Sequence, residues 1–176
     1  MSSENPNSPL EYTDFTIKAT LTNFAPVEEV LISMGAMYIG NDEQTDYYFE
    51  TDNGKLKLRQ GTIENRIAHY RREYEVGSEK TIVFRYEENP SSEAIKQLRS
   101  QNKLIGFVRK SRKIYRLDNL KIHLDTLPDN RKFIEIEAFD RTNRFSAAAL
   151  KAQCMAVKEK LGIPDSVLIK TGYMET

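Results

Sequence analysis

Asp52-Asn53-Gly54-Lys55-Leu56-Lys57-Leu58-Arg59 is the stretch that decides the fold. Asn53 and Gly54 accept positive φ cheaply, so they mark a tight hairpin turn. The residues after the turn alternate strictly. In a strand, residues two apart share a face. Lys55, Lys57 and Arg59 therefore line one face, and Leu56 and Leu58 the other. The same alternation recurs along the chain. Arg66, Ala68, Tyr70 and Arg72 share a face, as do Lys110 and Arg112. His123 and Asp125 share a face with Ile122 and Leu124 behind them, and Glu135 and Glu137 share one opposed by Ile134 and Ile136.

Outward from the hairpin, strands are expected over 12–21, 37–51, 55–60, 66–75, 81–86, 107–115, 120–125 and 132–138. Three helices interrupt them. Pro26 in a first turn and Gly35 beyond the last bound a helix ending at about Met34. Asn89-Pro90-Ser91-Ser92-Glu93 caps a second that runs to about Asn102. A third covers Ser146 to Leu161 and is closed by Gly162 and Pro164. The segment Val167 to Tyr173 is expected either to pair as a short strand or to lie over an opening. Residues 1–9 are polar and rich in Pro and Ser. A disordered tail over 1–10, ahead of one domain over 11–176, is the expectation. Hairpin-linked strands with few helices imply an α+β chain, mainly antiparallel β, as a closed barrel of about eight strands with flanking helices.

Lys and Arg total 26 and Asp and Glu total 26, so the formal net charge is zero. That argues against a nucleic-acid or membrane-surface binder, which would carry a basic excess. Cys154 is the only cysteine, so neither an internal disulfide nor a cysteine metal site can form. Its surroundings read as a helix. No leader is recognisable, and no apolar run approaches the ~20 residues that span a bilayer, so the cytoplasm is the expected compartment.

The charged faces carry the functional argument. The amphipathic helices need an apolar sheet face to cover. If they cover the outside of a closed sheet, the charges point inward. A barrel of about eight strands has room for side chains or one small ligand. A lumen holding Lys55, Lys57, Arg59, Arg72, Lys110 and Arg112 beside Asp125, Glu135 and Glu137 is costly unless the charges are paired or bind something. The cations suit phosphate oxygens. The carboxylates suit Mg²⁺ or Mn²⁺, which share their ligands with substrate phosphates. Both together imply a metal–polyphosphate complex.

Several segments resemble, in order, the motifs of the CYTH superfamily of triphosphate tunnel metalloenzymes, and the layout is most similar to its class IV adenylyl cyclase-like branch. They are Gln44-Thr45-Asp46-Tyr47-Tyr48-Phe49, Gly54-Lys55-Leu56-Lys57-Leu58-Arg59, His69-Tyr70-Arg71-Arg72, Lys80-Thr81, Val108-Arg109-Lys110-Ser111-Arg112, Ile122-His123-Leu124-Asp125 and Phe133-Ile134-Glu135-Ile136-Glu137. The resemblance implies an eight-stranded tunnel. It implies that Lys55, Lys57, Arg59, Arg72, Lys80, Lys110 and Arg112 bind a triphosphate such as ATP. It also implies that Glu135 and Glu137, with Asp14 and Asp125, hold Mg²⁺ or Mn²⁺, and that Lys18, Arg59 and Lys110 serve catalysis. One departure stands out. The family opens on Glu-x-Glu-x-Lys; here the aligned residues are Asp14-Phe15-Thr16-Ile17-Lys18. Thr16 supplies no carboxylate, and a neutral hydroxyl is a poor ligand for a hard dication. A smaller departure, Pro128-Asp129-Asn130-Arg131-Lys132, alters a turn before the last family strand.

Three activities remain open on this reading. They are adenylyl cyclase, triphosphatase, and a non-catalytic polyphosphate-binding module with a degraded metal site. The expected partner is a small triphosphate, with no nucleic acid and no membrane; a homodimer is compatible. His69 and His123 read first as structural, with His123 the better candidate for a role because it shares the charged face of Asp125.

Overall fold

The computed structural model describes residues 10–75, 78–142 and 144–169. Nine strands run in the order β1 (Leu10–Leu21), β2 (Met37–Phe49), β3 (Lys55–Gly61), β4 (Asn65–Glu75), β5 (Ser78–Glu88), β6 (Leu104–Leu117), β7 (Leu120–Thr126), β8 (Lys132–Asp140) and β9 (Leu168–Ile169). Helix α1 (Ala25–Ser33) follows β1, α2 (Ser92–Gln101) follows β5, and α3 (Ala147–Lys160) follows β8. The polar start at 1–9 and the tail beyond Ile169, including Tyr173, lie outside the described residues.

The strands form one antiparallel sheet in the spatial order β5-β4-β3-β2-β6-β7-β8-β1-β9. It curls until β5 meets the start of β1, pairing Leu10 with Val83 through Asp14 with Glu79. Beyond Asp14 the same edge of β1 is taken by β9, at Lys18 with Ile169 and Ala19 with Leu168. The expectation of a mainly antiparallel α+β chain therefore holds. The expectation of eight strands in a closed ring needs correction. The sheet has nine strands, and its edges meet along one short stretch because β1 serves two partners in turn.

Local chemistry sets these elements. Gly54 sits at φ +71, and a Cβ there would lie 2.1 Å from the Tyr70 carbonyl oxygen, so only glycine lets the β2–β3 turn pass β4. His69, on the outer face, fixes the same turn: its Nε2 lies 2.7 Å from the Asn53 carbonyl oxygen and its ring packs on Phe84. The Ser91 and Ser146 hydroxyls accept the backbone N–H of Ala94 and Ala149, capping α2 and α3. Pro26 opens α1, and Gly35 follows it at φ +83.

The core lies outside the curl. Ile17, Ala19, Ile122, Leu124, Ile134, Ile136 and Ala138 face outward from β1, β7 and β8, and pack against Leu150, Cys154 and Val157 of α3 and Val27 and Leu31 of α1. Leu56, Leu58 and Ile67 pack with Leu98 of α2 in a second cluster. Each buried aliphatic side chain contributes about 1.5–3 kcal/mol. Cys154 is part of this packing: burial pushes its thiol up to about 12, so it is a hydrophobe here and not a nucleophile. With the apolar residues outward, the alternate positions point into the curl.

Candidate functional site

The inward positions of β2, β3, β6 and β7 form two ion-pair clusters. Register places Asp46 opposite Arg59 on one side and Val108 on the other, one pleat from Lys110. Asp46 accepts two hydrogen bonds from Arg59, from Nε at 2.8 Å and from an Nη at 3.0 Å, and a third from Lys110 Nζ at 2.7 Å. Arg112 donates to both oxygens of Asp125 at 2.7 and 2.8 Å. All five side chains are buried. Lys57 shares the inner face of β3 with Arg59, and its Nζ lies 5.6 Å from the Tyr70 ring centre.

Electrostatics follow from one carboxylate shared among several cations. Burial alone would raise the Asp46 carboxyl, but Lys57, Arg59 and Lys110 hold it far below the usual carboxylate range. Asp46 cannot satisfy all three. Burial pushes Lys57 well below a normal lysine, with Arg59 and Lys110 adding repulsion. Lys110 falls to about 8, first through burial and then through Arg112 and Arg59. Asp125, raised by burial but lowered more by Arg112, sits at about 2. The result is a buried group in which Lys57, Arg59, Lys110 and Arg112 stand close enough to repel one another.

A loop braces this group. Asp42 accepts from Gln44 Nε2, Thr62 Oγ1 and the backbone N–H groups of Ile63 and Glu64, at 2.7 to 3.0 Å. Gly61 makes room for it, since a Cβ there would lie 2.5 Å from Asp42 Oδ1. The loop so held delivers Glu64, which pairs with Arg66 and lies 3.5 Å from Arg59.

On the opposite arc, β1 and β8 place Asp14, Thr16 and Lys18 across from Phe139, Glu137 and Glu135. Lys18 Nζ lies 3.4 Å from Glu135, whose other oxygen is 3.6 Å from His123 Nδ1. Burial raises the Glu135 carboxyl, but Lys18, His123 and Arg112 hold it well below the usual range. Burial and Arg112 keep His123 below its ordinary value, so it is neutral near pH 7. Asp14 accepts from Thr81 Oγ1 at 3.0 Å. Thr16 Oγ1 is buried with no hydrogen-bond partner among the described residues.

The two arcs place the expected residues unevenly. Lys57, Arg59, Lys110 and Arg112 come together, with Lys18 across the lumen. Lys55 and Arg72 lie toward strand ends and are exposed, Arg72 with its guanidinium 5.6 Å from the Tyr70 ring centre. Lys80 lies in β5 opposite Glu73 and Thr13, and its side chain lies outside the described residues. Asp14, Glu135 and Glu137 share the inner face of β1 and β8, whereas both oxygens of Asp125 engage Arg112. Among the described residues, no three His, Cys, Asp or Glu side chains converge as a ligand set. Mg²⁺ takes one or two carboxylates plus substrate phosphates and waters. Asp14, Glu135 and Glu137 fit that sparse role, completed by a phosphate, but not a preformed cage. Asp42, Asp46 and Glu64 belong to the site although the expected site residues do not include them. An acidic residue on the charged face next to the Lys57–Arg59 strand was the signal that could have found Asp46.

The fold and this inward-facing charge define a class, and the sequence places the chain in it. Residues 17–173 match the model of the CYTH domain. The chain belongs to the CYTH domain family. No curated protein matches its sequence. Among solved structures, it is similar to the PH1012 protein of Pyrococcus horikoshii OT3, with TM-score 0.76, 23% identity, and 92% of this chain and 98% of that one covered. It is also similar to a candidate adenylate cyclase from Vibrio parahaemolyticus, with TM-score 0.77, 13% identity and coverage of 93% and 96%. A candidate adenylate cyclase from Bacillus halodurans aligns with TM-score 0.58, 16% identity and coverage of 94% and 97%. At these identities the likeness is one of fold. Among the described residues, no helix is long and apolar enough to cross a membrane.

Proposed function

We propose that this chain binds a triphosphate inside the curl and turns it over with the help of Mg²⁺ or Mn²⁺, as a class IV adenylyl cyclase-like enzyme or as a triphosphatase of the cytoplasm. The observation that carries this reading is the buried cluster in which Arg59 and Lys110 both hydrogen-bond to Asp46, with Lys57 beside them. Lys57, Arg59, Lys110 and Arg112 take the phosphate oxygens, Arg59 and Arg112 through planar forks already aimed by Asp46 and Asp125. Lys18, Arg59 and Lys110 stabilise charge that develops on the transferring group. Lys55 and Arg72 would serve the part of the ligand nearest the strand ends, whereas Lys80 takes the register positions of Thr13 and Glu73, which alternate with Asp14 and Arg72. Asp14, Glu135 and Glu137 would hold the divalent cation, which when bound neutralises phosphate charge and activates the attacking oxygen. Asp125 serves by orienting Arg112.

The orphaned Thr16 hydroxyl favours a second reading, a polyphosphate-binding module that does not turn its ligand over. One experiment separates the two. The protein is incubated with ATP, inorganic triphosphate or thiamine triphosphate and Mg²⁺ or Mn²⁺, and phosphate, pyrophosphate and cyclic nucleotide are measured. Product from any of these supports the enzyme. Tight triphosphate binding by calorimetry with no product sinks the enzyme reading and leaves the module.

A further inference from the structure

One end of the curl opens into a cavity of about 400 Å³ that no part of the triphosphate reading uses. Its walls come from β2, β4, β5, β6, β7 and β8, the residue after β8 and the braced loop that carries Glu64. Four cations, Arg66, Arg116, Lys121 and Arg141, line it against two carboxylates, Glu64 and Glu88. The carboxylates are already committed on the inner side: Glu64 pairs with Arg66, and Glu88 accepts from the Tyr86 hydroxyl at 2.9 Å. Among the described residues, Arg116 and Lys121 make no ion pair. Both rest on one ring, with Arg116 5.2 Å and Lys121 4.4 Å from the centre of Phe139. Arg66 and Arg141 rest in the same way on Tyr86, at 5.8 and 5.2 Å. The two aromatic rings thus serve as platforms for cations, which leaves them poorly placed to stack a base. The crowding has an electrostatic cost. Burial lowers Lys121, and Arg66, Arg116 and Arg141 lower it further against the pull of Glu137. Four cations converge on one small cavity, where Lys121 has Glu137 opposite it in the next strand and Arg116 makes no ion pair among the described residues, and an anion relieves their crowding.

We infer that this mouth is a second phosphate-binding site, separate from the Asp46 cluster, which takes a phosphate group beyond the three held inside. The inference rests on the triphosphate reading of the interior. Glu64 is the joint between the sites, because it touches Arg59 of the inner cluster and Arg66 of the mouth. The phosphate at the mouth is either the fourth unit of the same linear chain or a separate ion beside a bound triphosphate. The chemistry is the same, and the two sources are distinguishable.

The test is calorimetry on metal-free full-length protein, so that nothing is turned over. The protein is titrated with tripolyphosphate, tetrapolyphosphate and ATP. A fourth phosphate bound by charge-assisted hydrogen bonds tightens tetrapolyphosphate over tripolyphosphate by about tenfold or more. Arg116→Gln and Lys121→Gln, made separately, should each cut that preference to about threefold or less and leave tripolyphosphate affinity within about twofold. Orthophosphate titrated into tripolyphosphate-saturated protein assigns the source. Heat that is lost in Lys121→Gln identifies a separate ion, and no heat with the tetrapolyphosphate preference intact identifies the linked unit. Equal affinity for the two chains with no orthophosphate heat overturns the mouth site. So does ATP binding tighter than tetrapolyphosphate in the wild type and in both variants, which would make the mouth a base pocket. Failure of tripolyphosphate itself to bind overturns the interior reading instead.

Discussion

The two arcs of the lumen are built to different standards. On the β2–β3–β6–β7 arc, five charged side chains hold one another through five hydrogen bonds of 3.0 Å or less. On the β1–β8 arc, Lys18 and His123 stand 3.4 and 3.6 Å from Glu135, Asp14 accepts from Thr81 at 3.0 Å, and the Thr16 hydroxyl has no hydrogen-bond partner among the described residues. The first arc is prepared in advance to grip an anion. The second waits for something to complete it. On the function proposed above, the difference teaches that a lumen can be organised around phosphate-side cations while its metal side depends on the ligand brought in.

The largest effect should break the prepared arc. Asp46→Ala leaves Arg59, Lys110 and Lys57 buried around no carboxylate, and removing one partner of a buried ion pair costs about 3–5 kcal/mol. Urea denaturation should show that loss. A change under about 1 kcal/mol would mean that the cluster is not a structural unit. The waiting arc gives a smaller effect of opposite sign. Thr16→Glu adds the carboxylate opposite Glu137, and Mn²⁺ affinity, measured in the presence of triphosphate, should rise about tenfold or more, or about 1.4 kcal/mol. No rise would show that the β1–β8 arc does not hold the metal. The smallest effect is set by protons. Lys110 carries its charge below about pH 8 in the free protein. A bound phosphate raises its folded-state pKa, so binding takes up a proton, and affinity falls as pH rises through 8. The fall should approach about tenfold per pH unit above that value and vanish in Lys110→Met. A flat profile from pH 7 to 9.5 would mean that Lys110 does not touch the phosphate.

The cations of the prepared arc are legible in the sequence, and its carboxylates less so. Lys57 and Arg59 were readable because a two-residue period fixes which side chains share a face, whatever the neighbours are. The helices were readable from Ser91, Ser146, Pro26 and Gly35, which act within one turn. What pairs with what across strands was not readable. Asp125 sat in the sequence as an acidic residue near Glu135 and was grouped with it for metal. Register places it opposite Arg112, which donates to both of its oxygens. Asp46 was passed over for the same reason: nothing local shows that Arg59 and a lysine 64 residues away both reach it. The ninth strand was left open because two residues give no period to read.

The divided edge of β1 has a consequence for how the chain is made. Its residues 13–21 pair with 132–140, and its residues 10–14 with 79–83. Strand β1 therefore waits for a partner made more than a hundred residues later. Until β8 and α3 emerge, Ile17, Ala19 and their neighbours have nothing to cover them. Such long-range closure slows folding and prolongs the exposure of apolar strand. The polar side chains of Thr16, Lys18 and Thr20, alternating with those residues, keep the waiting strand half hydrophilic. The pattern that points charge into the finished lumen also keeps the unfinished strand wet.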